Sequence, residues 1–187
     1  MKQVLAVCCG GKMFYFDKSD PRVLFCDKRK IKTTLCDGRE FEVSPDIQCD
    51  FTNLPFPDES FSLVVFDPPH LTRATGKGKY KEMYGSLTEI PTATGWQHIK
   101  YGELYDNWRD MIAGGFSECF RVLKQNGTLV FKWNETDIPV REVLKCTTEK
   151  PIFGHKSGKR SNTHWICFFK SENTKGVIQH DRQAETP

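Results

Sequence analysis

Three aspartates in this 187-residue sequence each follow a short, predominantly apolar stretch, as the last residue of a buried strand would. They are Asp27 after VLFC, Asp50 after IQC and Asp67 after SLVVF. A fourth apolar run, QVLAVCC, passes directly into Gly10 and Gly11. If these runs are parallel strands, their carboxyl ends meet at one edge of the sheet, where the ligands of such folds bind. The spacing therefore predicts a ligand site built from a glycine turn and three carboxylates.

The residue types at this edge favour a nucleoside ligand. A glycine turn lets the backbone approach a ligand closely. The Asp27 carboxylate can accept hydrogen bonds from both hydroxyls of a ribose, and Asp50 can accept one from the amino group of an adenine. The sequence contains no G-x-x-x-x-G-K-[ST] loop to hold phosphates. We therefore expect a nucleoside cofactor without phosphates.

The composition is that of an ordinary globular domain, with 38% apolar and 27% charged residues. No run of 18 apolar residues occurs, so we expect no membrane span, and MKQVLAVCCGG is too short for a signal peptide. The eight cysteines include no C-x-x-C pair, so we expect no bound metal and interpret them as reduced thiols of a cytoplasmic protein. The net charge of +3 is too small to identify a partner by itself.

Strands that alternate with helical patterns predict an α/β doubly wound sheet. Apolar residues recur at steps of three and four over residues 104–123, which predicts a helix that Asn126-Gly127 ends. Asp37-Gly38 between β-prone residues predicts a hairpin. The remaining expectations are a short helix in GGKMFYFDK, a strand ending at Asp50, and closing strands in REVLKCTTEKPIFG and THWICFFK.

The chain is expected to form one domain over residues 1–170, followed by a polar, disordered tail over residues 171–187. Between residues 71 and 101 the hydrophobic pattern loses its period. An aperiodic segment of this length inside one domain is typical of a functional loop.

Five stretches of the sequence carry a family resemblance over residues 1–170, namely AVCCGGK, FCD, QCDF, VVFDPPH and VLKQNGTLVFKW. In this order they resemble the class I S-adenosylmethionine-dependent methyltransferases. More closely, they resemble the D-P-P-Y type enzymes that methylate the exocyclic amine of adenine or cytosine, a group that includes small phage proteins. The resemblance implies a Rossmann-like, mostly parallel sheet of about seven strands with helices on both faces. It also implies S-adenosyl-L-methionine as the cofactor.

The same resemblance implies a role for each residue of the predicted cofactor site. The glycine turn would lie under the methionine part of the cofactor, the second strand would end at its ribose, and the third at its adenine. The residues in these three positions are Cys9, Gly10 and Gly11, then Asp27, and then Asp50 with Phe51.

Asp67, Pro68, Pro69 and His70 match the catalytic motif of the resembled family. An exocyclic base amine is a weak nucleophile because its lone pair is delocalised into the ring. Hydrogen bonds from the amine to the Asp67 carboxylate and the Pro68 carbonyl would localise that pair and stabilise the positive charge that develops on nitrogen. The prolines fix φ and so preorganise both acceptors, while His70, where Tyr or Phe is usual, would stack on the base.

A basic segment follows the motif, with Arg73, Lys77, Lys79 and Lys81 interleaved with Tyr80. We interpret it as a loop that contacts phosphates and stacks on bases, and a merely solvated loop is the alternative. The run HKSGKR over residues 155–160 allows both interpretations equally.

The function that the sequence favours is methyl transfer from S-adenosylmethionine to an adenine amino group in DNA. Adenine in RNA and cytosine are the alternatives, and a protein amide is less favoured because such enzymes usually carry Asn in place of Asp67. A different class of protein, a non-catalytic nucleic-acid binder, stays open. Ala6 stands where the first cofactor motif usually has an acid, and Lys12 where its last glycine usually lies.

Overall fold

The structure is a computed structural model that describes residues 2–34, 38–70, 88–92, 95–99, 107–158 and 161–171. Its two helices in these residues are α1 (Trp108–Val122) and α2 (Val140–Val143), and a 3₁₀ turn (Leu144–Cys146) extends α2. The strands are β1 (Val4–Val7), β2 (Val23–Asp27), β3 (Ile31–Thr34), β4 (Glu40–Val43), β5 (Ile47–Gln48), β6 (Phe61–Phe66), β7 (Thr88–Thr92), β8 (Gly95–Ile99), β9 (Leu123–Asn134), β10 (Phe153–Lys156) and β11 (Thr163–Phe169).

Seven strands form one sheet in the order β10-β11-β9-β6-β1-β2-β5. The pairs β1–β2, β1–β6, β2–β5 and β6–β9 are parallel, whereas β11 is antiparallel to both of its neighbours. From β1 the chain builds outward through β2 and β5 and then returns to the other side of β1 with β6. Ligands of open α/β sheets bind at such a reversal of strand order, outside the carboxyl ends of the strands.

The predicted seven-stranded, mostly parallel α/β sheet is therefore confirmed. Helices on both faces of the sheet stay a prediction. The described residues contain two helices, α1 and α2, and these do not show that both faces are covered. The crossover from β2 to β5 carries the β3–β4 hairpin, where parallel strands usually connect through a helix. This hairpin is the one that Asp37-Gly38 predicts.

The main core lies between α1 and one face of the sheet. Leu129, Phe131 and Trp133 alternate along β9 and are fully buried, and the Phe131 ring lies 4.8 Å from the Phe116 ring of α1. The even-numbered residues of β9 face the other side of the sheet, since side chains alternate along a strand.

Helix α1 approaches the sheet closely at Gly115. A Cβ atom added there would lie 2.6 Å from Phe66 Cζ and 2.7 Å from Phe51 Cδ2, both too close for a real contact. The missing side chain therefore allows two phenyl rings to pack directly against the helix backbone.

The prediction of a short helix after Gly11 is wrong. Residues 12–20 form turns, in which Lys12 has a φ of 54° and the Asp17 carboxylate accepts the Ser19 N–H at 2.8 Å. Aromatic packing holds this segment instead, because Tyr15 meets Phe25 of β2 edge to face with ring centroids 4.9 Å apart.

Two predicted element boundaries differ from the structure. Helix α1 ends at Val122, and the chain enters β9 directly at Leu123. Asn126 lies inside β9 with a φ of 61°, next to an irregularity in the β6–β9 register. The strand predicted to end at Asp50 ends at Gln48, and Asp50 begins a turn.

The segment REVLKC is helical, not extended as predicted. Pro139 precedes α2 with its φ at −57°, which suits the start of a helix. The other closing strands are confirmed as β10 and β11. The aperiodic segment contains an antiparallel pair, β7–β8, that its sequence pattern did not indicate.

Candidate active site at the carboxyl edge of the sheet

The turn after β1 is tightly wound. Cys8, Gly10 and Lys12 all have φ between 50° and 60°, a region that non-glycine residues adopt only at a cost. The turn is held by the Cys9 N–H, which donates to the Cys26 carbonyl at 2.8 Å, and by the Lys12 N–H, which donates to the Cys9 carbonyl at 2.9 Å. The predicted glycine turn therefore lies beside the end of β2.

Asp27 connects this turn to β2. Its carboxylate accepts the Gly10 N–H at 2.9 Å through one oxygen, and the Arg29 N–H and Nε–H at 2.9 and 3.1 Å through the other. The residue is 5% exposed. Arg29 Nη1 is also buried, and among the described residues it has no hydrogen-bond partner. The site thus contains a buried guanidinium N–H that a bound anion could accept.

Asp50 and Phe51 differ in their surroundings. Asp50 accepts the Thr52 N–H at 3.0 Å and the Thr52 hydroxyl at 2.8 Å, and it pairs with Lys28 at 2.8 Å. Burial raises the pKa of Asp50, but the bonds from Lys28 and Thr52 outweigh burial and hold it below its usual range. Phe51 packs in the main core, with its ring 5.6 Å from that of Phe66. The predicted adenine contacts stay a prediction.

Asp67 directly follows β6 at the reversal of strand order, and its N–H donates to the Val7 carbonyl of β1 at 3.2 Å. Its Oδ2 atom lies 2.7 Å from Lys132 Nζ, and the two side chains are only 22% and 21% exposed. Burial raises the pKa of Asp67, and the positive charge of Lys132 partly opposes this effect. The sheet therefore places a mostly buried aspartate at the end of β6, next to the strand that leads into the glycine turn.

His70 closes the D-P-P-H motif. Its ring meets that of Trp133 edge to face at 6.3 Å. Burial, and then the nearby Lys132 charge, lower the pKa of His70 to about 4, although Asp137 acts in the opposite direction. At neutral pH the imidazole is therefore uncharged, which is compatible with stacking on a base.

Sequence reasoning missed two residues of this site, Arg29 and Lys132. Arg29 follows the second strand by two residues and reads as an ordinary surface cation. Lys132 carried a signal, because a lysine in the middle of the apolar strand TLVFKW needs a partner. The partner could not be named, since the pairing of β6 with β9 is not visible in a local pattern.

The nucleic-acid contacts predicted for Arg73, Lys77, Lys79, Tyr80 and Lys81 lie outside the described residues. Of the second basic run, Lys156 is paired with Glu135 at 3.0 Å, and Glu135 also contacts His164 at 2.9 Å. Hydrogen bonds from His164 and Lys156 lower the pKa of Glu135 to about 2.

The described residues contain no cluster of three or more His, Cys, Asp or Glu side chains arranged to hold a metal. The seven cysteines among them are free thiols. Neither helix in this part of the chain has the length and apolar character that a membrane span requires.

No protein-family model and no curated protein matches the chain. Solved structures match its fold, which is that of Rossmann-like α/β proteins. The N-methyltransferase NodS from Bradyrhizobium japonicum WM9 is 13% identical, with a TM-score of 0.51 over 91% of this chain and 86% of NodS. The PH0226 protein from Pyrococcus horikoshii OT3 is 14% identical, with a TM-score of 0.50 over 90% of this chain and 82% of that protein. At these identities the likeness establishes the fold alone.

Proposed function

We propose that the chain is an S-adenosylmethionine-dependent methyltransferase that methylates an exocyclic amino group, with adenine in DNA as the acceptor. One observation carries this proposal: Asp67 follows β6 at the reversal of strand order, and its N–H donates to the carbonyl of Val7, the residue that precedes the glycine turn. NodS, which shares the fold, is an N-methyltransferase. The D-P-P-H motif supports a base amine as acceptor, and the basic segment that follows it in the sequence supports a nucleic acid as its carrier.

We propose that residues at the edge of the sheet hold the cofactor. Asp27 would accept the ribose hydroxyls, the Cys9-Gly10-Gly11 turn would lie under the methionine part, and Arg29 Nη1 offers a donor to an anionic group. Asp50 and Phe51 would hold the adenine. When bound, the cofactor supplies an electrophilic methyl group on a sulfonium sulfur.

Asp67 and Pro68 would act on the acceptor. Their carboxylate and carbonyl oxygens accept hydrogen bonds from the amine, which localises its lone pair and stabilises the charge that develops on nitrogen. The two prolines keep these acceptors fixed before the acceptor arrives. His70 would stack on the base, and a base in a duplex would first be flipped out at a cost of a few kcal/mol.

The proposal is tested by labelled methyl transfer onto separate pools of DNA, RNA and protein, followed by nucleoside analysis. We expect label in N6-methyladenine of the DNA pool. Label in RNA or on cytosine would keep the enzyme class and change the acceptor. Label in none of the pools, with a folded protein, would contradict the proposal.

A non-catalytic nucleic-acid binder is the second candidate, because both carboxylate oxygens of Asp27 are already engaged by Gly10 and Arg29. Calorimetry separates the two candidates. A methyltransferase releases or absorbs heat on titration with S-adenosylmethionine, whereas a non-catalytic binder shows heat with nucleic acid alone.

His70→Tyr is expected to keep or raise turnover, because a larger ring stacks on the base and the neutral imidazole contributes no charge. The measurement is turnover on saturating DNA at neutral pH. Phe169→Tyr, a change at an exposed aromatic position at the end of β11 and outside the second basic run, is the control and is expected to have no effect. An inactive but folded His70→Tyr enzyme would mean that the imidazole forms a required hydrogen bond.

Replacement of Lys77, Lys79 and Lys81 with Ala is expected to weaken DNA binding and flatten its salt dependence. Each lost phosphate contact lowers the slope of log K against log salt by about 0.7–0.9. The measurement is a binding titration at several salt concentrations. Affinity for S-adenosylmethionine is the internal control and should not change. A salt slope equal to that of the wild type would show that these three lysines contact no phosphate.

A further inference from the structure

We propose that Lys132 is a positioning residue of the Asp67 site. Its ammonium group holds one carboxylate oxygen, keeps Asp67 ionised, and leaves the other oxygen to receive the acceptor amine. The inference rests on the proposed function for the identity of that acceptor, but the pairing itself is a property of the folded chain.

The sheet register creates the pair. Phe66 at the end of β6 is aligned with Phe131 of the parallel strand β9. The residues that follow them, Asp67 and Lys132, are therefore neighbours. Side chains alternate along strands, so both residues face away from α1. The resulting distance of 2.7 Å between Nζ and Oδ2 is typical of a charge-assisted hydrogen bond.

Two aromatic rings surround the ammonium group. Lys132 Nζ lies 5.2 Å from the centroid of the Phe14 ring and 5.8 Å from that of Trp165, both within the range of a cation–π interaction. Phe14 and Trp165 also contact each other edge to face at 5.2 Å. The rings hold the lysine in place and shield the pair from water, which strengthens its attraction.

The other charged and titratable groups around Asp67 do not replace Lys132. Asp27 opposes ionisation of Asp67, and Arg29 favours it but already forms hydrogen bonds with Asp27. Cys8 and Tyr15 on the segment after β1 have raised pKa values, chiefly through burial, and are neutral at neutral pH. His70, which follows Asp67 in the loop after β6, is neutral as well. Lys132 is therefore the cation that directly stabilises the carboxylate.

The ionisation state decides what Asp67 can do. An ionised carboxylate accepts hydrogen bonds from an amine, whereas a protonated one has lost an acceptor site. Because the active form is the carboxylate, activity is lost as the pH falls through the pKa of Asp67. A substitution that raises this pKa moves the acid limb of the pH–rate profile to higher pH.

Lys132→Met tests the proposal, since it removes the charge and keeps the length of the side chain. The pKa of Asp67 is read from its carboxyl ¹³C chemical shift during a pH titration, assigned with Asp67→Asn. We expect a rise of about 1–3 units, the effect of an opposite charge at this range. The acid limb of the pH–rate profile should move to higher pH by the same amount. Lys132→Arg should restore both values.

Lys156→Met is the matched control, because Lys156 pairs with Glu135 and should leave the Asp67 titration unchanged. If Lys132→Met does not fold, Lys132→Gln is titrated in its place with the same expected direction. An unchanged Asp67 titration in the folded variant would overturn the inference. A different result is that the wild-type protein methylates none of the pools while Lys132→Met still raises the pKa of Asp67. That result would contradict the proposed function and leave the pairing role of Lys132 intact.

Discussion

Asp67→Ala is expected to slow methyl transfer by about 100- to 1000-fold, the usual cost of losing one group aimed at developing charge. S-adenosylmethionine should still bind, because in the proposed function the carboxylate contacts the acceptor amine and not the cofactor. Asp67→Asn should be milder, since its amide oxygen can still accept a hydrogen bond. Single-turnover rates on DNA and calorimetric titrations with the cofactor provide the two measurements.

Folding must be separated from chemistry in this experiment. Asp67→Ala leaves the mostly buried Lys132 ammonium without its partner, which destabilises the fold by itself. The same change in a Lys132→Met background removes that unpaired charge and should give a comparable loss of rate with a more stable protein. Near-wild-type turnover in either variant would show that Asp67 only shapes the turn.

Asp27→Ala is expected to lower the affinity for S-adenosylmethionine by about ten- to hundredfold. A hydrogen bond to a charged group contributes roughly 1.5–3 kcal/mol, and a tenfold change in affinity corresponds to about 1.4 kcal/mol. The change also removes the acceptor of the Gly10 N–H, so the glycine turn loses its connection to β2. Calorimetry gives the dissociation constant, and thermal unfolding reports the state of the fold.

Asp20→Ala is the matched control for this variant. Asp20 precedes β2 at the opposite edge of the sheet, where it pairs with Arg22. Its removal should leave cofactor affinity unchanged. Asp27→Asn, which keeps the shape of the side chain, provides a second variant if Asp27→Ala is unstable. Wild-type affinity in a folded Asp27 variant would remove Asp27 from the cofactor site.

Much of the sheet could be predicted because each buried strand carries its own apolar run. The runs before Asp27 and Asp67 and the Asp37-Gly38 hairpin are local signals, and the structure agrees with them. The geometry of the candidate site followed from one further step, namely that parallel strands end at a common edge. These are features that neighbouring residues determine.

The errors arose where distant parts of the chain decide the conformation. GGKMFYFDK has helix-compatible residues, but packing of Tyr15 on Phe25 holds it in turns. Asn126-Gly127 predicts the end of the helix, but the helix ends earlier and this pair lies inside β9. The Asn126 N–H donates to the Lys170 carbonyl at 2.7 Å, a bond to a residue far away in the sequence. The Asp67–Lys132 pair depends on the β6–β9 register, which likewise joins residues far apart in sequence.

The absent side chain at Gly115 has a consequence for the way this protein could diversify. The two rings that occupy its place belong to Phe51 and Phe66, which adjoin Asp50 and Asp67 in the chain. Any residue larger than glycine would require both rings to move. The chain segments that carry the proposed adenine and acceptor contacts are thus packed against the same position of α1. A chain that adapts to a different acceptor is therefore expected to keep glycine at this position.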